Sequence, residues 1–183
     1  MSRKISEDFK LHRYGVDVRL ANESDSEFIL SLRTNEKLSR FIHATSADIE
    51  KQRQWMRDYK KREERGEDYY FIYYRDGEPF GLNRIYDIKE HSATGGSWLC
   101  KPGTDVEYSI ATVLIERDII FDILNLETDC FDVRLQNKKV QKLHLMLGAE
   151  KIGETELDVL FSLSREAYRQ NKGKLMTLLG IEE

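Results

Sequence analysis

The sequence predicts an α/β (α+β) domain, and three observations predict it. Short stretches alternate apolar and polar residues, as in Val16-Asp17-Val18-Arg19-Leu20, the pattern of a half-buried strand. Longer stretches repeat apolar residues at helical spacing, as in residues 106–125. Between Glu127 and Glu154 a strand pattern (Cys130, Phe131, Val133, Leu135) runs through Gln136-Asn137 into a short amphipathic segment. That segment stops at Gly148, and a second strand pattern follows around Ile152. Asn is a good helix N-cap and Gly a good terminator, so this unit reads as βαβ-like.

The elements follow in order. Residues 1–14 are polar and form an arm or an edge element. After the strand at 16–20, Asn22 or Ser24 caps a helix carrying Phe28, Ile29, Leu32 and Leu38 on one side. Residues 41–45 break that pattern, and Ser46 caps a long charged helix from Asp48 to about Arg65 that ends at Gly66. Tyr69–Tyr74 is strongly strand-prone. Arg75-Asp76-Gly77-Glu78 then carries the Asp-Gly signal of a tight hairpin. Phe80–Tyr86 is the returning strand, and Gly96–Cys100 is the next. Lys101–Thr104 is a loop before the helix over Val106–Asn125, whose inward positions are Ile110, Val113, Leu114, Ile120, Phe121 and Leu124. In the helix after Asn137 the apolar positions are Val140, Leu143, Leu145, Met146 and Leu147. A last strand, Leu157–Leu163, precedes a polar helix, Ser164–Gln170.

At 183 residues the chain is most simply one domain, 1–183 with a core over 16–163. Hydrophobic residues make up 40% and charged residues 34%, and the net charge of −4 gives no electrostatic case for nucleic acid, although 29 Lys and Arg leave room for local basic patches. No apolar run approaches the roughly 20 residues that span a bilayer, and the N-terminus lacks a secretory apolar region, so the expectation is a cytoplasmic protein. Cys100 and Cys130 are far apart, lack metal-ligand spacing and read as buried core residues; no metal site is expected.

Asn137-Lys138-Lys139-Val140-Gln141-Lys142-Leu143-His144-Leu145-Met146-Leu147-Gly148-Ala149 resembles the N-x-x-A-x-x-x-Y-x-x-x-G-F motif closing the acyl-CoA binding core of the GNAT N-acetyltransferase superfamily. Asn and Gly stand at the family spacing; Val replaces Ala, His144 replaces Tyr and Ala149 replaces Phe. The order of elements over 16–163 is similar to that fold. The resemblance therefore implies a mixed, mainly antiparallel sheet flanked by helices. Trp55 and Asp76–Gly81 most resemble the branch of ribosomal-protein and antibiotic acetyltransferases. Gly96-Ser97-Trp98 and its Pro-Gly-Thr exit are more similar to amino-sugar acetyltransferases of surface-polysaccharide pathways.

What the resemblance implies is transfer of acetyl from acetyl-CoA to an amine by direct attack, with both cysteines dispensable. The leading acceptor is a nucleotide-linked amino sugar; a protein N-terminus, another small amine and an inactive binding module are the alternatives. A small-molecule acceptor without nucleic acid or membrane is expected, and a homodimer is compatible with the resemblance. An acetyl-CoA site needs anion-binding amides at a helix start, an open strand edge and a donor for the developing charge. The first need falls on Gly103, Thr104, Ser109 and Ile110. The window Thr104–Ser109 departs from the family's Gly-rich motif, however, and Asp105 and Glu107 add negative charge beside it. The second falls on Trp98, Leu99 and Cys100, and Asn137 is a further residue expected to touch the cofactor. His144 stands where the family places a general acid, and an imidazole that titrates near neutrality suits that role. The acceptor's proton would go to His43 or Glu107, with Glu90 and His91 as further candidates. Arg40, His43 and Arg84 could meet an anionic acceptor such as a nucleotide diphosphate.

Overall fold

The computed structural model describes residues 4–183, so the first three residues of the N-terminal arm lie outside the described residues. The strands are β1 (Lys10–Arg13), β2 (Val16–Leu20), β3 (Tyr69–Arg75), β4 (Glu78–Tyr86), β5 (Ser92–Cys100), β6 (Thr128–Arg134), β7 (Glu150–Glu154) and β8 (Asp158–Ser164). The helices are α1 (Ser26–Arg33), α2 (Glu36–Ser39), α3 (Ile49–Arg65), α4 (Val106–Asp118), α5 (Lys138–Met146) and α6 (Arg165–Leu179). The strands form one eight-stranded sheet in the order β1-β2-β3-β4-β5-β6-β8-β7. Every pairing is antiparallel except β5 with β6.

The run Tyr69–Tyr73 shows why the sheet is covered on both faces. Side chains alternate across a strand, so Tyr69, Phe71 and Tyr73 enter the core beneath α4 and α6. Tyr70 and Ile72 join Ile29, Leu32, Met56 and Tyr59 under α1 and α3. The Asp-Gly turn forms as read, with Asp76 at φ 50° and Gly77 at φ 79°, the left-handed pair that a tight hairpin requires.

The edge element expected in residues 1–14 is β1, paired with β2 at the sheet edge. Several other boundaries differ from the sequence reading. Asp48, not Ser46, caps α3, accepting from the amides of Glu50 and Lys51. β5 starts at Ser92, four residues before the apolar signal, because Gly95 and Gly96 carry no side chain to signal it. The helix after Val106 is α-helical only to Asp118 and continues as a π-turn over Ile119–Ile123. It is buried on all sides from Ile110 to Asp118, since it packs between the sheet and α6. The last helix runs on to Leu179.

The α5 segment ends at Gly148 as expected, with φ +92°; a Cβ there would lie 2.7 Å from Asn171 Nδ2, so no other residue fits. Two details of that segment are corrected. Asn137 makes no side-chain capping bond. The inward face presents Leu143, His144 and Leu147, while Leu145 and Met146 are exposed.

Candidate functional site

The parallel pairing of β5 with β6 is brief: Ser92 meets Thr128, Ala93 meets Asp129, and the ladder ends. Beyond it β5 bends away. Ser97 sits at φ 54°, and the register with β4 slips between Leu82 and Arg84, the signature of a bulge that re-aims a strand. The two strands diverge into a V, leaving β5 from Gly96 to Cys100 with no partner strand on that side among the described residues. The V holds a cleft of about 390 Å³. Its walls are β5 (Gly95 to Cys100), the start of α4 (Ser109), β6 (Phe131 to Arg134) and α5 (Asn137, Val140, His144). Across the sheet, Arg33, Leu38, Phe41, Ile42 and His43 close it.

The floor of the V is charged. Glu116, Arg117 and Asp129 are fully buried, Arg117 pairing with Glu116 and, at 3.0 Å, with Asp129. The Gly95 amide donates to Asp129 Oδ1 at 2.8 Å. A Cβ on Gly95 would lie 3.0 Å from the Glu116 carboxyl, so glycine lets the strand approach this cluster without displacing it. Two carboxylates share one guanidinium, and burial pushes Glu116 up to about 8. Burial raises Asp129 as well, but the Arg117 ion pair and the Gly95 backbone donor oppose that rise, so Glu116 is the group that keeps a proton at neutral pH. Its Oε1 has no hydrogen-bond partner.

His144 is buried on this floor, its ring 4.4 Å from that of Phe131, and its Nδ1 also has no partner. Burial first, and the Arg117 charge second, hold its pKa well below the ordinary value. It is therefore a neutral imidazole, with one N–H to offer and no imidazolium charge. The expectation that it titrates near neutrality is corrected: there is no imidazolium waiting to give up a proton. Cys100 lines the cleft as a thiol, pushed up to about 11 by burial. The Trp98 indole N–H donates to Thr112 Oγ1, which fixes that side chain against α4.

The start of α4 answers the doubt raised by its acidic residues. Asp105 precedes the helix and makes no capping bond with its side chain, so no side chain satisfies the first-turn amides. Its carboxylate lies 3.7 Å from Arg75 Nη1, whose guanidinium stacks on Tyr108 at 3.8 Å. Turned toward Arg75, Asp105 leaves the helix terminus open to an anion.

The cleft thus brings together His43, Trp98, Leu99, Cys100, Ser109, Asn137 and His144. Gly103 and Thr104 lie outside it, on the exposed turn leading to α4, and Thr104 Oγ1 is spent on Lys101 O. Two predicted roles are corrected. Glu107 is exposed on the first turn of α4 and does not line the cleft, so it reaches no acceptor there. Ile110 is 9% exposed and part of the core, because its helical position faces the sheet. Glu90 and His91 pair at the surface with each other and Glu127, also away from the cleft. Arg84 is committed to Asp68 at 2.6 Å and stacked against Trp55, Tyr70 and Tyr86.

The reading missed Glu116, Arg117 and Asp129, although a charged triplet, Glu116-Arg117-Asp118, interrupting an apolar helix was a visible signal. It also missed Asp132, which lines the cleft with His43 and whose pKa is raised by burial and by Asp158.

No protein-family model and no curated protein matches the chain. Solved structures do. The apo structure of FdhC, a nucleotide-linked sugar GNAT, matches at 35% identity over 94% of this chain and 99% of that one, with TM-score 0.83. The ribosomal-protein-S5-alanine acetyltransferase from Vibrio fischeri matches at 19% identity over 88% and 99%, with TM-score 0.75. Mycobacterium smegmatis RimJ in complex with CoA-disulfide matches at 16% identity over 94% of each chain, with TM-score 0.76. The last two likenesses concern the fold.

Proposed function

The chain belongs to the GNAT superfamily of N-acetyltransferases, and from that premise we propose that it moves acetyl from acetyl-CoA to the primary amine of a nucleotide-linked amino sugar. The single observation that carries the acceptor class is the 35% identity, over nearly the whole of both chains, to a nucleotide-linked sugar GNAT.

The residues present fit an acyl-CoA. The uncapped amides at the start of α4 suit its phosphates, and the unpaired edge of β5 from Gly96 to Cys100 suits its amide-bearing arm. The bound thioester supplies an acyl carbon ready for attack by an amine. This chain's side chains then divide the remaining work. Neutral His144, on the cleft wall, stabilises charge arriving on the sulfur by offering its N–H as a hydrogen-bond donor rather than by a proton already in place. On the opposite side of the sheet, His43, which lines the cleft with Asp132, takes the proton that the acceptor ammonium must lose. No enzyme nucleophile intervenes, because Cys100 stays a thiol.

The test is incubation with acetyl-CoA and a panel of nucleotide-linked amino sugars, peptides with free N-termini and polyamines, following free thiol release and product mass. An acetylated nucleotide-linked sugar supports the reading. Turnover confined to peptides or polyamines rejects the acceptor class, and no turnover with any amine rejects the activity.

A further inference from the structure

A second cavity, of about 290 Å³, opens beside the cleft on the α1–α3 face. It is lined by Arg33, the segment Ala44–Ser46, Lys51, Gln52, Trp55, Tyr70 and Arg84. Arg33 lines both spaces, and the loop at 43–45 runs between them.

Three features mark the second cavity as a receptor for an anion. First, it has cations to spare. Arg84 is neutralised by Asp68, but among the described residues neither Arg33, whose Nε donates to the Thr45 hydroxyl at 2.8 Å, nor Lys51 meets a carboxylate. Second, Tyr70 is 1% exposed, yet its hydroxyl has no hydrogen-bond partner, and it lines this cavity. A buried O–H without an acceptor has given up water for nothing in return, so an unpaired one facing a cavity marks a place for a ligand oxygen. Burial raises the pKa of that hydroxyl; the nearby Arg33 guanidinium, a donor that stands just outside hydrogen-bond geometry, and the Arg84 charge oppose the rise, and the O–H proton itself has no acceptor. Third, the Thr45 and Ser46 hydroxyls stand at the rim, and the loop that carries them is held only through Arg33 and short local bonds.

We infer that this cavity is the diphosphate subsite of the acceptor: Arg33, at the junction, and Lys51 neutralise the two phosphates, and the Tyr70 hydroxyl donates to one of their oxygens, while the amino sugar extends into the main cleft toward His43. The inference rests on the proposed acceptor class and adds to it the residues that select for a nucleoside diphosphate. The guanidinium of Arg33 offers two parallel donors to a phosphate, and Lys51 adds a point charge. A neutral amine acceptor would use neither.

The experiment is calorimetric titration with uridine diphosphate and thymidine diphosphate, the parent nucleosides serving as controls. The diphosphates should bind at least tenfold more tightly than the nucleosides, and more weakly as salt rises. Arg33→Gln and Lys51→Ala should each weaken them by tenfold or more, and Tyr70→Phe by several-fold, with melting temperatures within a few degrees of wild type. Equal binding of diphosphates to wild type and to Lys51→Ala overturns the subsite, as does a failure of diphosphates to bind. Steady-state kinetics separates this inference from the acceptor reading. Turnover of a nucleotide-linked amino sugar with an unchanged KM in Lys51→Ala overturns the subsite and leaves the acceptor class standing. Diphosphate binding with the stated losses, but no turnover of any nucleotide-linked amino sugar, upholds the subsite and overturns the acceptor class.

Discussion

Replacing Glu116 by Gln tests the charge assignment at the floor of the cleft. The cluster holds one guanidinium and two carboxyl groups away from water. Electroneutrality is reached when one carboxyl keeps its proton, and Glu116, raised from 4.5 to about 8, is that group. A carboxyl whose folded pKa lies above its unfolded value binds a proton more tightly in the folded state. Its contribution to stability is therefore complete below pH 4.5 and falls away as pH rises to about 8. At about 1.4 kcal/mol per pH unit, the whole window amounts to roughly 5 kcal/mol. Gln keeps the size and neutrality of the protonated acid and does not titrate. Urea denaturation of wild type and Glu116→Gln at pH 5, 6, 7 and 8 isolates the effect as the difference between the two curves. That difference should move in favour of Glu116→Gln by roughly 3–4 kcal/mol between pH 5 and 8. Parallel curves would mean that Glu116 is ionised throughout, and the assignment of the proton would be wrong.

Other predictions follow from neighbouring features. Arg75→Ala releases Asp105 toward the start of α4 and should raise KM for acetyl-CoA several-fold with little change in kcat; Arg75→Ala combined with Asp105→Asn should restore it, and failure to do so refutes the anion site. Cys100→Ser and Cys130→Ser should each retain at least a third of wild-type turnover, measured by thiol release, because both thiols are pushed upward by burial; loss of turnover with CoA still bound would point to an acyl-enzyme. Asp118 is buried and accepts from Arg13, Tyr14, Tyr168 and Lys172. Asp118→Ala should cost roughly 3–5 kcal/mol in denaturant unfolding, as for other broken buried pairs; a cost under 1 kcal/mol would show that the four groups find other partners.

The sequence showed the fold wherever local chemistry dictates structure. The Asp76-Gly77 turn, the glycine stop at Gly148 and the apolar alternation of β2 are each decided within a few residues. β5 was half hidden because the chain spends its centre on Gly95 and Gly96, which have no side chain to carry a periodicity. The cleft residues on β5 and α5 were legible through the family frame, and Asn137 and His144 do stand on its wall. The catalytic character of His144 was not legible. Its protonation depends on burial and on Arg117, 27 positions earlier in the chain, which only the packing of α4 against α5 and β6 brings near. Glu107 failed for a related reason: spacing places it in the first turn, but helix rotation sends it to solvent. The second cavity was invisible because Arg33, Lys51 and Tyr70 come from three elements and share no motif.

The most direct measurement is a crystal structure of the protein soaked in coenzyme A. The account predicts the phosphates against the amides of Val106 to Tyr108, the pantetheine arm along Gly96–Cys100, and the sulfur between β5 and β6 on the His144 side. Coenzyme A bound elsewhere, with the V between those strands closed by the protein's own side chains, would contradict it.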